Sequence, residues 1–333
     1  MQKGKSSIEF KHPPKIIGRA SVVGKKEGEG PLGTLFDQVE EDPMFGTNTW
    51  EEAESQLQKR AAEAAIKNAG LTPADMRYML AGDLLGQLIA TSFGVMELDI
   101  PLFGLYGACS TMGEAITLGS ILVDGGYADR VLSLASSHFA SAEKQFRFPL
   151  EYGNQRPFSA TWTVTGCGAV VLSQSGEGPK IAGVTVGKIV DMGLKDSMNM
   201  GACMAPAAAD TICQHLQDFN RRPEDYDRII TGDLGVVGKQ LLEEFLSNKG
   251  MDISKQHMDC GIEIFNNATQ DTHAGGSGCG CSASVLTAYI LPKIMKGEWK
   301  RVLFIPTGAL LSTVSFNEGQ SVPGIAHAVV IEA

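Results

Sequence analysis

Cys109 stands in the run Gly107-Ala108-Cys109-Ser110, directly ahead of a segment, Thr111–Val123, that reads as a helix ending at Gly125-Gly126. A thiol at a helix N-terminus meets free backbone N–H groups and the positive end of the helix dipole, both of which favour the thiolate. That makes Cys109 a candidate nucleophile for acyl transfer or thioester hydrolysis, given a nearby base and donors for the oxyanion. The competing reading is a small buried cysteine filling a tight turn. Among possible bases, His273 precedes the glycine run Gly275–Gly280, His138 follows an apolar strand pattern, and His327 opens the last strand pattern. His12, His215 and His257 lie in polar stretches and read as surface residues. His257, Cys260, Cys279 and Cys281 can be drawn together as a metal set, but structural zinc prefers Cys-x₂₋₄-Cys pairs and the pair here is Cys-x-Cys. No GxxxxGK[ST] phosphate loop is present, and the glycine run opens a helix instead of a dinucleotide unit.

The elements that must position these residues alternate along the chain. Helical spacing predicts helices over Trp50–Ala69, Thr111–Val123, Ala205–Phe219, Gly238–Asn248 and Ser282–Lys296, with Pro292 kinking the last. Strand patterns cover Tyr78–Leu84, Leu102–Leu105, Arg130–Ser136, Gly168–Leu172, Arg228–Asp233, Arg301–Pro306 and Ala328–Glu332. Such alternation predicts an α/β fold with helices covering the sheets.

Parts of the pattern occur twice. Gly82-Asp83-Leu84 recurs as Gly232-Asp233-Leu234, Arg130-Val131-Leu132 as Arg301-Val302-Leu303, and Ala169-Val170-Val171 as Ala328-Val329-Val330. The pieces keep their order, so a duplicated α/β unit explains them better than chance. The join falls in the Gly/Pro-containing loop 174–180. This divides the chain into an N-terminal tail (1–15), a first half (16–175) and a second half (176–333).

The chain has 333 residues and a formal net charge of −10, from 28 Lys+Arg against 38 Asp+Glu. Without basic runs it is a poor candidate for nucleic acid, and it lacks the basic amphipathic face of a lipid-binding helix. The polar start Met1–Lys15 shows no signal-peptide pattern, and the longest mostly apolar run, Ala283–Leu291, falls far short of a membrane span. Seven scattered cysteines fit free thiols in a reducing compartment, so a cytoplasmic soluble protein is expected.

The stretch Gly107–Ala115 resembles the nucleophile loop of the thiolase and ketoacyl synthase superfamily. Gly82–Gln87, Thr165–Val171 and Asp271–Ser277 are similar to that superfamily's other loops and strands, covering about residues 16–333. The whole sequence is identified as a member of the stage V sporulation protein AD family of spore-forming bacteria. The resemblance implies a thiolase-like fold of two duplicated halves, with mixed sheets stacked around central buried helices. It implies a homodimer formed through Leu102–Leu105. It further implies dipicolinic acid, or its calcium chelate, as ligand, and uptake into the developing spore with the other SpoVA membrane proteins, at the spore inner membrane. The superfamily's helpers are missing here: no His follows Arg228–Thr231, where Gly232-Asp233 stands, and the synthases' Asn aligns roughly with Cys279. Thr307-Gly308-Ala309 replaces the thiolases' late cysteine. A retired site is therefore expected, with Cys109, His273, Ser277 and Cys279 lining one ligand pocket and Gly232 and Asp233 at its edge. The alternative is a Cys109-dependent acyltransferase or thioester hydrolase. Apart from calcium carried in with dipicolinate, no cofactor is expected.

Overall fold

The computed structural model describes residues 1–146 and 155–333. The first half contributes β1 (Lys15–Gly24), α1 (Trp50–Asn68), β2 (Tyr78–Gly82), β3 (Leu102–Gly104), α2 (Thr111–Asp124), β4 (Arg130–Ser137) and β5 (Gly166–Ser173). The second contributes β6 (Lys180–Thr185), α3 (Met200–Phe219), β7 (Arg228–Thr231), α4 (Gly235–Ser247), β8 (His257–Asp259), α5 (Cys279–Val285), β9 (Arg301–Ile305) and β10 (Ala328–Glu332).

The strand order is β3-β2-β4-β5-β1 in the first half and β8-β7-β9-β10-β6 in the second. In each half the three strands ending at the outer edge run parallel, and the next two alternate in direction. Both inner strands carry a register shift two residues in, between Ile16 and Gly18 in β1 and between Ile181 and Gly183 in β6. The duplication therefore extends to an irregularity that no hydropathy pattern displays. The two expected sheets are joined edge to edge through a single pair, Lys15 with Lys180, giving one mixed sheet that folds back on itself. Residues 1–15, expected as a tail, hold the strands Gln2–Lys3 and Ser7–Glu9, the second of which pairs antiparallel with β6.

Five layers result. On the first half's outer face, α1 lies with Leu57, Ala61, Ala65 and Ile66 inward against Ala20, Leu132 and Val171. On the second half's outer face, α3 and α4 pack through Ile212, Leu216, Leu242 and Leu246. Between them, α2 and α5 share one core, in which Met112, Ile116 and Leu286 meet Leu172 and Val131 on one side and Phe304, Val329 and Ile331 on the other. Every residue of α5 is buried. A helix enclosed by sheets on both faces has no polar stripe to display, which is why its sequence is apolar or small all round.

Two helices depart from expectation for identifiable reasons. The helix expected from Ala205 instead begins at Met200, where the Asn199 side chain accepts the Ala202 N–H, and packing overrides the interior Pro206. The break expected at Pro292 is realised as one wide turn, Leu286–Ile290, followed by Leu291–Met295 with the proline in its first turn.

Candidate functional site

The loop before α2 is a tight turn built from its own side chains. Ser110 Oγ donates to the Gly107 carbonyl at 2.6 Å, Thr111 Oγ1 donates to the Ala108 carbonyl at 2.7 Å, and the Gly107 N–H donates back to Thr111 Oγ1 at 3.1 Å. Ala108 adopts φ +49° to close it. This projects Cys109 toward a cavity of about 40 Å³ lined by Leu84, Tyr106, Cys109, Thr163, Ser277 and Gly278 among others.

The second half places Asp233 against the thiol. Asp233 follows β7, is fully buried, and stands near enough to Cys109 for its charge to act on the thiol. Its Oδ2 accepts the Gly278 N–H at 3.0 Å and its Oδ1 accepts Thr307 Oγ1–H at 2.8 Å. Burial pushes its carboxyl up to about 7 despite these donors. The expected lowering of the Cys109 thiol is not what the structure gives. Burial, then the Asp233 charge, then Cys279, hold it well above the ordinary cysteine value. A dipole acting over the first turn is outweighed by burial and by a nearby carboxylate in a poorly solvated site. At neutral pH Cys109 is a thiol.

The other predicted positions separate. Ser277 lines the cavity with Cys109. Cys279 lies behind the turn, its thiol donating to the Ala108 carbonyl at 2.9 Å. Gly232 supports the site sterically, since a Cβ there would come within 3.0 Å of the Pro306–Thr307 backbone. His273 does not line the cavity: its Nδ1 lies 2.9 Å from the Pro157 carbonyl and its Nε2 lies 3.0 Å from Asp271 Oδ1. Thr307, which stands where a thiolase cysteine was sought, is instead the hydroxyl that anchors Asp233.

Four of the five other histidines have structural partners. His138 contacts the Pro43 carbonyl through Nε2 at 2.8 Å, and His327 Nδ1 accepts the Gly187 N–H at 3.3 Å. His215 and His257, expected on the surface, are buried. His215 lies between Thr185 Oγ1 and the Tyr226 hydroxyl, and His257 between Thr231 Oγ1 and Glu243. Their polar chain neighbours face other directions, which a local composition reading averages away. Among the described residues, no group of three or more His, Cys, Asp or Glu side chains is placed to hold a metal ion.

Buried titratable groups give the chain a defined pH response. Burial raises Glu27 to about 7, Glu54 to about 8 and Asp233 to about 7, so the folded state holds protons that the unfolded chain has released above about pH 4. Stability therefore falls as pH rises toward 8. Burial lowers His215 to about 3 and His257 and His327 to about 4, which costs stability only as pH drops below about 6.5. Between pH 6.5 and 8 the carboxyls act alone. The melting temperature should decline across that range, and Glu54→Gln should flatten the decline above pH 7. Calorimetry showing a flat or rising parent profile would contradict this assignment.

The comparisons with known proteins agree with this geometry. The family model described as stage V sporulation protein AD matches residues 4–332. The stage V sporulation protein AD of Bacillus subtilis (strain 168) is 45% identical over 329 residues, covering 99% of this chain and 97% of that protein. Among solved structures, 3-oxoacyl-[acyl-carrier-protein] synthase III from Aquifex aeolicus VF5 is 16% identical, with TM-score 0.59 over 96% of this chain and 100% of that one. An OleA variant from Xanthomonas campestris is 13% identical, with TM-score 0.65 over 98% of each chain. The structural likeness establishes the thiolase-like fold of the ketoacyl synthases, and the sequence matches place the chain more narrowly: it belongs to the stage V sporulation protein AD family.

Proposed function

We propose that this chain is a non-catalytic thiolase-like protein that binds dipicolinic acid or its calcium chelate and takes part in its uptake into the developing spore. The observation that carries the non-catalytic part is that no histidine among the described residues lines the Cys109 cavity. A nucleophilic cysteine needs a base that removes its proton, whereas burial and the charge of Asp233 raise this thiol and keep the proton on sulfur. Family membership supports the choice of ligand, and the proposal extends to the other SpoVA membrane proteins as partners that bring the chain to the spore inner membrane. Among the described residues, no helix is long and apolar enough to cross a membrane.

A homodimer belongs to the same reading. Strand β3 ends the sheet with Leu102 41% and Phe103 47% exposed, and Phe93, Met96 and Tyr106 are also exposed apolar residues of this part of the chain. A bare strand edge bearing apolar side chains is a template for pairing with a second copy. Light scattering of the purified chain reports that mass directly.

The ligand and the absence of turnover are tested together. Calorimetric titration with dipicolinate, with and without calcium, should show saturable binding. Incubation with acetyl-coenzyme A followed by intact mass measurement should show no acyl adduct. An adduct on Cys109 would reverse the conclusion in favour of an acyltransferase.

A further inference from the structure

Two buried carboxyls of the first half are joined by a relay of hydrogen bonds. Glu54 of α1 and Asp83, which follows β2, are both fully buried. Between them, Gln58 Nε2 donates to Ser136 Oγ at 2.7 Å and to Thr91 Oγ1 at 3.0 Å. Each hydroxyl passes its own hydrogen outward, Ser136 to Glu54 Oε1 at 2.8 Å and Thr91 to Asp83 Oδ2 at 2.5 Å. We propose that this pair is a proton-controlled latch on the turn 84–91, which Asp83 holds closed while Glu54 carries a proton.

Donor counting decides which carboxyl is charged. Asp83 Oδ1 accepts the Leu85 N–H at 2.7 Å, and its Oδ2 accepts the Thr91 N–H at 2.7 Å as well as the Thr91 hydroxyl. Two of these donors are backbone amides, which cannot turn round to accept a proton from the acid. Glu54 meets only hydroxyls. Its Oε2 lies 2.6 Å from Ser141 Oγ, and Ser141 has a second acceptor, the His138 carbonyl, at 3.1 Å. With a proton on Oε2, Ser141 accepts it and turns its own hydrogen to His138. The proton therefore belongs on Glu54 and the charge on Asp83. Burial first, and the Asp83 charge second, raise Glu54 to about 8, while burial raises Asp83 against its three donors.

No cation offsets a second charge. The titratable groups facing Glu54 are Asp83, Cys167 of β5, Cys279 of α5 and Glu51 of its own helix, which is paired with Lys144. Those facing Asp83 are Glu54, Tyr106 and Cys279. Loss of the Glu54 proton with the turn closed would leave two negative charges in one weakly screened site. The turn is the part that can yield. Gln87 and Leu88 are consecutive left-handed residues, at φ +56° and +54°, and Gly86, Gln87 and Ile89 are exposed. Such residues persist only where their surroundings enforce them, and here Asp83 ties down both Leu85 and Thr91. By contrast, α1 is packed through Leu57, Ala61 and Ile66.

The turn supplies Leu84 to the Cys109 cavity and Gly86, Gln87 and Leu88 to an adjoining groove of about 650 Å³, so its release reshapes a wall of both, whatever ligand the protein takes. Opening lets water reach the pair, and Glu54 returns toward the ordinary value of about 4.3 and gives up its proton. The open turn is therefore favoured as pH rises toward 8. Above 8 Glu54 is ionised in both states, and no further change follows.

Hydrogen exchange of the full chain, read by mass spectrometry and corrected for the intrinsic rate, tests the latch. Between about pH 6 and 8, protection of a peptide covering 84–95 should fall by up to about tenfold per unit and then level off, while α5 stays protected. Glu54→Gln stays neutral at every pH and can still donate to Ser141, so its turn should remain protected across the range. Asp83→Asn, checked by thermal melting for an intact fold, should leave the turn poorly protected at every pH. A parent turn with no pH dependence, or a Glu54→Gln turn that keeps the parent's slope, would overturn the latch. So would exchange of α5 in step with the turn, which reports global unfolding. None of these results depends on whether dipicolinate binds.

Discussion

Adding one methyl group at Gly168 is expected to destabilise the chain by about 3–5 kcal/mol and to lower its melting temperature by roughly 5 °C. A Cβ built there would stand 2.0 Å from the Ala283 carbonyl oxygen and 2.3 Å from its carbon. The obstacle is helix backbone, which cannot rotate aside as the end of a side chain can. One turn away the same contact is made in reverse, where a Cβ on Gly280 would come within 2.1 Å of the Gly166 carbonyl oxygen. The second half's central helix thus lies directly on the first half's strand β5, and both glycine clusters exist to let two backbones touch. Gly86→Ala is the control, because nothing lies within 4 Å of its added methyl. Differential scanning calorimetry should find Gly168→Ala clearly lowered and Gly86→Ala close to the parent. If the two melt alike, the close packing of α5 on β5 does not contribute to stability as described.

Why the fold was readable and the site only partly so follows from the range of the interactions. The paired motifs Gly82-Asp83-Leu84 and Gly232-Asp233-Leu234 end equivalent strands, β2 and β7, and the repeated Arg-Val-Leu pieces begin β4 and β9. These are local patterns copied twice, and hydropathy exposes them. Strands β1 and β6, however, escape the hydropathy pattern, because their sequences mix Lys, Gly and Ser or Thr with apolar residues. They are strands because neighbours on both sides supply hydrogen bonds, which no local pattern records.

The site shows the same division. That the segment before α2 would carry Cys109 toward a cavity, with Asp233 just after the matching strand of the second half, was legible from sequence position. What Asp233 does there was not. Its duplicate Asp83 accepts hydrogen bonds from the Leu85 and Thr91 N–H groups and the Thr91 hydroxyl within its own half. Asp233 instead anchors Gly278 and Thr307 within its own half and acts on Cys109 of the other. Identical motifs thus acquire different roles from tertiary partners 45 to 124 residues away in the chain. The reading of His273 failed for a related reason. It precedes the glycine run in sequence, but its φ of +52° and its contacts with Pro157 and Asp271 turn it out of the Cys109 cavity.

Asp233→Asn is expected to make Cys109 more reactive. Asparagine keeps the shape of the carboxylate, and its oxygen can still accept the Gly278 N–H, so the loops around it have no reason to move. The negative charge that raises the thiol is removed, while burial, the larger cause, remains. The Cys109 pKa should therefore fall without reaching the range of an activated nucleophile. One unit of pKa is about tenfold in thiolate. Alkylation of Cys109 by iodoacetamide at pH 8, followed by peptide mapping under native conditions, should accelerate by about that factor. The pH profile separates charge from access: loss of the charge moves its midpoint to lower pH, whereas a loosened pocket raises the rate at every pH and leaves the midpoint in place. The buried Cys279 and Cys281 thiols, which donate to backbone carbonyls, report in the same digest whether the fold has opened. An unchanged midpoint would mean that burial alone silences Cys109, and that Asp233 is a structural anchor for Gly278 and Thr307 with no hold over the thiol.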